Sequence, residues 1–481
     1  MPCKRGHELG EDLQQRSGSL YSEDGVELPR RYWAMLALVL GTLIFVLDGG
    51  FSNVGLPTIA RDMHANPSTV IWVITAYQVA IITTLLPMAA LGEILGYDRV
   101  RLAGFALFTC GSLLCAVSNT ILTLALARIV QGFGAAGLTA VSAALLRSIY
   151  PKALLGRAIG INAMVLAGAA VIAPPIASAL LGWTSWRWLF VFNAPFGLAG
   201  LAIGFLSFPK GRRLKRRLNV GSTLLNAATF GPIIAGLQAL VRGARSAALL
   251  LLAWGSVSAW FLVRRELSAE APLIPFDLLR VRAFALSIYS LVLCITAQAM
   301  GFVALAFFLQ ESLGYSVKQT GPLMAVWPIV NALTSPIAGR LSDRYSAAAL
   351  ATIGLLIFSA GLGCVAITPR GAPPLNLIGG LAICGLGFGL FSTPNTRVVL
   401  TSSSADRSGA ASGMLAMART LGLVVGAQGV AICFAISGVK QGAHSALLVG
   451  ATAALAGAII GGFRLSSAKY SGHQGRPSAP S

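Results

Sequence analysis

Fourteen runs of roughly twenty mainly apolar residues, parted by short polar or basic stretches, restrict how this chain can fold. In hydrocarbon a backbone must satisfy its own hydrogen bonds, so runs of this length predict membrane-spanning helices. They lie near 34–56, 70–91, 102–119, 121–147, 158–181, 188–208, 220–241, 247–263, 284–309, 319–338, 347–367, 375–398, 411–437 and 443–463. The run at 247–263 is short, and the junction around 118–123 is tight. Composition agrees. Hydrophobic residues make up 56% and charged residues 11%, with a mean hydropathy of +0.76, whereas a water-facing shell needs about twice that charge.

The net charge of +20 does not indicate a nucleic-acid partner, because Lys and Arg cluster between the apolar runs. With the N-terminus inside, roughly 27 of them fall on the cytoplasmic side against roughly 7 outside. That bias predicts an even number of spans and two cytoplasmic termini. The densest cluster, Lys210, Arg212, Arg213, Lys215, Arg216 and Arg217, reads as an anchor holding the loop after the sixth run inside. Residues 1–33 contain no apolar stretch and read as a polar cytoplasmic tail, not a signal peptide, with 464–481 as a second tail. The lipid bilayer is thus the first expected partner.

Leu91 to Gly96 aligns with Leu341 to Ser346, an internal repeat at an offset of 250 residues. The expectation is an all-α integral membrane protein with two six-helix bundles, 34–208 and 284–463. Between them, 209–283 supplies a basic loop, two inserted helices and a linker. Proteins built from two such halves hold a substrate between them and rock around it.

Charges inside the runs are the candidates for chemistry. Asp48 in the first run and Arg128 in the fourth lie roughly 12 Å and 10 Å from the outer ends of their helices, at similar depth. A buried carboxylate is costly, so it faces a cavity or a partner. One whose proton affinity depends on a neighbouring cation and on changing solvent access can load a proton on one side and release it on the other. The alternative is a static ion pair fastening two helices. Asn53, Gln131, Gln298 and Arg419 are candidate cavity residues. Glu93 and Asp343, beside Arg99 and Arg344 in the two repeat loops, are candidates for a cytoplasmic latch or for ordinary loop salt bridges. Gly168 and Ala173 suit close helix packing, and Pro174 with Pro175 is expected to interrupt and kink its helix.

The seven cysteines form no CxxC pair, and the four histidines lie away from the middle of any run, so no metal site is expected. No phosphate-binding GxxxxGK[ST] loop, HExxH or GxSxG occurs, which argues against an ATP-driven pump and against an enzyme. No cofactor is expected, and a proton gradient is the implied energy source.

Several segments together resemble the fourteen-span drug:proton antiporters of the major facilitator superfamily, the EmrB/QacA type. They are Leu47 and Asp48 with Asn53 to Pro57, Trp72 to Tyr77, Arg128 with Gln131 and Gly132, Trp186 to Phe190 followed by Asn193, Ala271 to Pro275, and Gly339 to Arg344. The resemblance implies a major facilitator fold, alternating access around a central cavity, and Asp48 with Arg128 as the proton-linked pair. It implies export of hydrophobic or cationic small molecules from a bacterial inner membrane. In a double-membraned bacterium it also allows a periplasmic adaptor and an outer-membrane channel as partners. The chain departs from the family pattern at Ala89, Ala90, Glu93, Ile94 and Tyr97, and at Ala173 to Ser178, where antiporters carry glycines. Competing expectations are a dedicated carrier of one metabolite or siderophore, by export or symport, and a non-transporting membrane receptor.

Overall fold

The computed structural model describes residues 25–211, 219–268, 274–402 and 407–471, and among these every regular element is a helix. The long helices are α1 (Arg30–Asp62), α2 (Trp72–Leu95), α3 (Tyr97–Ala116), α4 (Ile121–Ala140), α5 (Leu155–Trp183), α6 (Asn193–Ser207), α7 (Val220–Val241) and α8 (Arg245–Leu267). They continue with α9 (Arg282–Phe307), α10 (Val317–Arg344), α11 (Ala347–Ala366), α12 (Pro374–Thr401) and α13 (Ser408–Ser471). Twelve helical segments among the described residues are long and apolar enough to cross a bilayer. That count takes α13 once and omits α10, whose 28 residues include Pro322, Pro328 and Pro336.

α13 doubles back at Gly438, whose φ of 70° suits a residue without a β-carbon. Its first limb runs along α9, with Gly422 against Ile295 and Gly426 against Ala299, and its second returns, with Gly450 beside Met300 and Gly457 beside Leu293.

Burial separates centre from rim. In its most apolar stretch α9 is 78% buried, whereas α7 and α8 are only 28% and 22% buried and present Leu224, Leu249, Leu250, Trp254 and Val257 outward. Such side chains meet lipid at little cost, so α7 and α8 pack mainly on each other at the periphery.

The two halves repeat their packing. A β-carbon added at Gly111 of α3 would lie 2.5 Å from the Gln131 nitrogen of α4, and one at Gly361 of α11 would lie 2.7 Å from the Cys384 nitrogen of α12. Gly132 presses on the Tyr77 carbonyl of α2 as Gly385 presses on the Trp327 carbonyl of α10. The halves meet at the end where α1 finishes. There Arg61 donates to Gln310 at 3.1 Å, Gln428 donates to Thr75 at 3.1 Å, and Gly182 touches Lys318. Gly156 and Gly160 near the start of α5 and Gly168 at its middle have open space beside them.

Three local expectations are corrected. Pro174 and Pro175 do not interrupt α5, which runs unbroken from Leu155 to Trp183. In a bilayer any other backbone there would leave more groups unsatisfied, and Ser178 donates to the Pro175 carbonyl at 2.9 Å. The fourth run breaks at Val141 into α4 and a short helix, Ser142–Ile149, because Arg101 and the Ser142 hydroxyl capture the Leu138 carbonyl at 2.5 and 2.6 Å. Gly168 is not a close-packing position, while Ala173 is, against Gly50 of α1.

Candidate functional site

Asp48 and Arg128 meet. Arg128 Nη1 donates to Asp48 Oδ2 at 2.6 Å, with the two side chains 1% and 0% exposed. A buried ion pair repays its desolvation only with further hydrogen bonds, and this one has them. Gln131 Nε2 donates to Asp48 Oδ1 at 2.8 Å and to Ser112 Oγ at 2.7 Å, and Asn193 Nδ2 donates to the same carboxylate oxygen at 3.2 Å. Arg128 also donates to the Gln131 side-chain oxygen at 2.6 Å and to the Val73 carbonyl at 2.9 Å. Its guanidinium lies 4.1 Å from the Tyr77 ring centroid, a cation–π contact inside the protein. Four helices, α1, α3, α4 and α6, and the α2 backbone thus converge on one carboxylate. The α3 and α4 backbones come this close because Gly111 carries no side chain.

One layer away lies a cavity of about 320 Å³ between the halves. α1, α2 and α5 line it from one side and α9, α10 and α13 from the other, with Arg128 at its wall. Asp48 is behind that wall. Its neighbours Gly49, Gly50 and Ser52 line the cavity, but Asp48 itself does not.

The C-terminal half carries no copy of this charge. By the glycine contacts above, Cys384 stands where Gln131 does, and Leu381, four residues before Gly385, stands where Arg128 precedes Gly132. Both are buried. Trp327 is the counterpart of Tyr77, and both line the cavity.

The other candidates divide. Asn53 and Gln298 line the cavity. Gln131 does not, since both ends of its amide are spent within the Asp48 cluster. Arg419 does not line it either. It points between α12 and α13, reaching Thr396 Oγ1 at 3.5 Å, and its Nε is buried without a hydrogen-bond partner. Pro174 lines the cavity, and its carbonyl approaches Gly321 of α10, so it borders the seam between the halves. Asp343 pairs with Arg397 of α12 at 2.6 Å, not with Arg344, and Arg397 also donates to the Ser342 carbonyl at 2.7 Å. Glu93 lies in the last turn of α2 and Arg99 in the first turn of α3. Arg212, Arg213, Lys215, Arg216 and Arg217 of the basic cluster, and Ala271 to Leu273, lie outside the described residues, as do both polar tails up to residue 24 and from residue 472.

Sequence reasoning passed over Ser112, Tyr77, Arg397 and two further buried arginines. Arg101 donates to the Leu38 and Leu138 carbonyls, and Arg464 donates to Ser287 and Asn395 at 2.9 and 2.8 Å. Asn193, at the head of α6, could have been found as a carboxamide in an apolar run.

A sequence profile described as the Major Facilitator Superfamily matches residues 38–427. The chain is 42% identical over 448 residues to the uncharacterized transporter YebQ of Escherichia coli (strain K12), covering 92% of this chain and 97% of the relative. It is 30% identical to the riboflavin transporter RibZ of Clostridioides difficile (strain 630), covering 82% and 87%. It is 28% identical to the multidrug resistance protein Stp of Mycobacterium tuberculosis, covering 82% and 74%. Among solved structures, a POT family transporter in complex with 5-aminolevulinic acid superposes with a TM-score of 0.69 at 14% identity, covering 92% of this chain and 97% of that one, a likeness of fold alone. The chain is a multi-pass membrane protein and belongs to the major facilitator superfamily as a secondary transporter.

Proposed function

We propose that this transporter is a proton-coupled exporter of small organic molecules, of the fourteen-span EmrB/QacA type, working by alternating access in a bacterial inner membrane. The fourteen passes are the twelve apolar segments, α10, and the second limb of α13, with α7 and α8 inserted between two six-helix bundles. With the end at which α1 begins in the cytoplasm, the contacts of Arg61 with Gln310, Gln428 with Thr75 and Gly182 with Lys318 join the halves at the outer end. The observation that carries the reading is the placement of the Asp48 and Arg128 pair, buried in the protein with Arg128 on the cavity wall and Asp48 one layer behind it. Protonating Asp48 removes the negative charge that holds Arg128 Nη1, and the freed guanidinium is then a cation on the cavity wall. A proton on Asp48 and a substrate beside Arg128 thus affect one another. The names of relatives such as Stp favour export of assorted compounds.

A second reading is a carrier dedicated to one metabolite, and the riboflavin transporter at 30% identity favours it. Reconstituted vesicles under a pH gradient separate these readings from each other and from no transport. Asp48→Asn is expected to insert normally and lose gradient-driven flux, and full flux in that variant rejects the proton role. A compound panel in the same assay yields many substrates for a multidrug exporter and one for a dedicated carrier.

A further inference from the structure

The cavity wall carries one sign of charge. Among its lining residues Arg128 is the only charged side chain, and the nearest carboxylate, Asp48, is shut behind it and accepts three hydrogen bonds there. A compartment built to prefer cations would present an acid. This one presents donors and amides. Arg128 uses Nε and Nη1 within the protein, while its Nη2 donates to none of the described residues. The carboxamides of Asn53, Gln78 and Gln298 line the cavity and bond to none of the described residues. Trp327 Nε1 is buried with no hydrogen-bond partner. Polar side-chain groups that face one cavity and are not engaged by the surrounding residues mark where a ligand's groups go.

The apolar part of the wall is aromatic and fixed. Phe302 stacks on Trp327 with ring centroids 4.5 Å apart and planes 26° apart, and Phe358 braces Trp327 from behind at 5.2 Å. A ring system held this way offers a flat, rigid surface.

We infer that the transported molecule is a flat, uncharged heteroaromatic compound bearing carbonyl and N–H groups on its edge, and that the site disfavours cations. Its carbonyl accepts from Arg128 Nη2, and its N–H groups donate to the carboxamide oxygens, Gln298 chief among them. This deepens the transporter reading and rests on it for the word "transported", while the binding chemistry stands on the cavity alone.

The test uses three three-ring probes of nearly the same shape. Acridone is neutral with one carbonyl and one N–H, proflavine is a cation, and anthracene has no polar group. Fluorescence titration on the purified full chain is expected to show acridone binding about tenfold or more tightly than either of the others, the effect of one or two hydrogen bonds. Proflavine binding as tightly as acridone overturns the charge preference. Anthracene binding as tightly as acridone overturns the role of the polar groups, as does no binding of acridone at all. Gln298→Leu is expected to weaken acridone about tenfold and leave anthracene unchanged, which also reports that the cavity is intact. Gln298→Glu places an acid on the wall and is expected to bring proflavine binding up to the level of acridone; no gain counts against the assignment. Acridone that binds but is not moved by a pH gradient fails the transporter reading while leaving the binding site standing.

Discussion

Leu381 occupies in α12 the place that Arg128 holds in α4, so two halves with matching backbone contacts differ by a full charge at one buried position. Among the described residues the buried pair of carboxylate and guanidinium belongs to the N-terminal half alone. Arg128→Leu removes the partner of a buried carboxylate and is expected to cost about 3–5 kcal/mol of stability. Arg128→Leu combined with Asp48→Leu is expected to recover most of that loss while gradient-driven flux stays absent. Thermal unfolding in detergent, run beside vesicle flux, checks both halves of the statement.

Gln131 spends its amide on Asp48, Ser112 and Arg128, leaving none for the cavity. Gln131→Leu strands the Ser112 hydroxyl and leaves Asp48 Oδ1 with Asn193 alone, and a loss of about 1–3 kcal/mol is expected. Acridone affinity should change less than twofold, because the side chain does not reach the cavity. A large loss of affinity in a folded variant contradicts the assignment of Gln131 to the cluster.

Two glycines should respond in opposite ways. Gly111→Ala drives a methyl group to 2.5 Å from the Gln131 nitrogen, and overpacking of this kind costs about 1–3 kcal/mol. Gly168→Ala enters open space on α5 and gains helix propensity, so stability is expected to stay level or rise by up to about 1 kcal/mol. Unfolding midpoints of the two variants provide the comparison.

The contact between Gly182 and Lys318 spans the two halves at the end where α1 finishes. In a background without the seven native cysteines, Gly182→Cys with Lys318→Cys is expected to join through a short bifunctional thiol reagent and to stop flux. Reduction of a cleavable version restores it. Undiminished flux in the joined protein would mean that this end does not open during transport.

At the start of α9 the 3₁₀ turn Phe276–Arg280 is tied to the start of α13, where Arg407 donates to Asp277. That hydrogen bond holds the Asp277 carboxyl below its ordinary value near pH 4. A carboxyl lowered on folding adds stability above its ordinary value and loses it as pH falls through the lowered one. Both side chains are about 40% exposed, so the effect is small. The unfolding midpoints of the native chain and of Arg407→Gln are expected to differ at pH 6 and to draw together as the pH falls below the ordinary carboxyl value.

Depth alone brought Asp48 and Arg128 together on paper, because 1.5 Å per residue is a reliable ruler along a helix. Rotation about the helix axis has no such ruler, so the sequence did not tell that Gln131 turns toward Asp48 while Gln298 turns toward the cavity. The latch shows the same limit. Asp343 sits beside Arg344 in the chain, yet its partner is Arg397, more than fifty residues away and one helix over. The prolines of α5 misled for another reason. Local propensity written for water undercounts how strongly hydrocarbon holds a backbone in a helix.

The reversal at Gly438 bears on how the chain is made. With almost no loop between the two limbs of α13, they are suited to enter the bilayer as one closed hairpin, since neither limb has a polar segment to wait on. Within a few residues of that turn the only permanent charge to be carried across is Lys440. The last third of the C-terminal half can therefore be completed in a single insertion event, against an α9 that is already in place to receive both limbs.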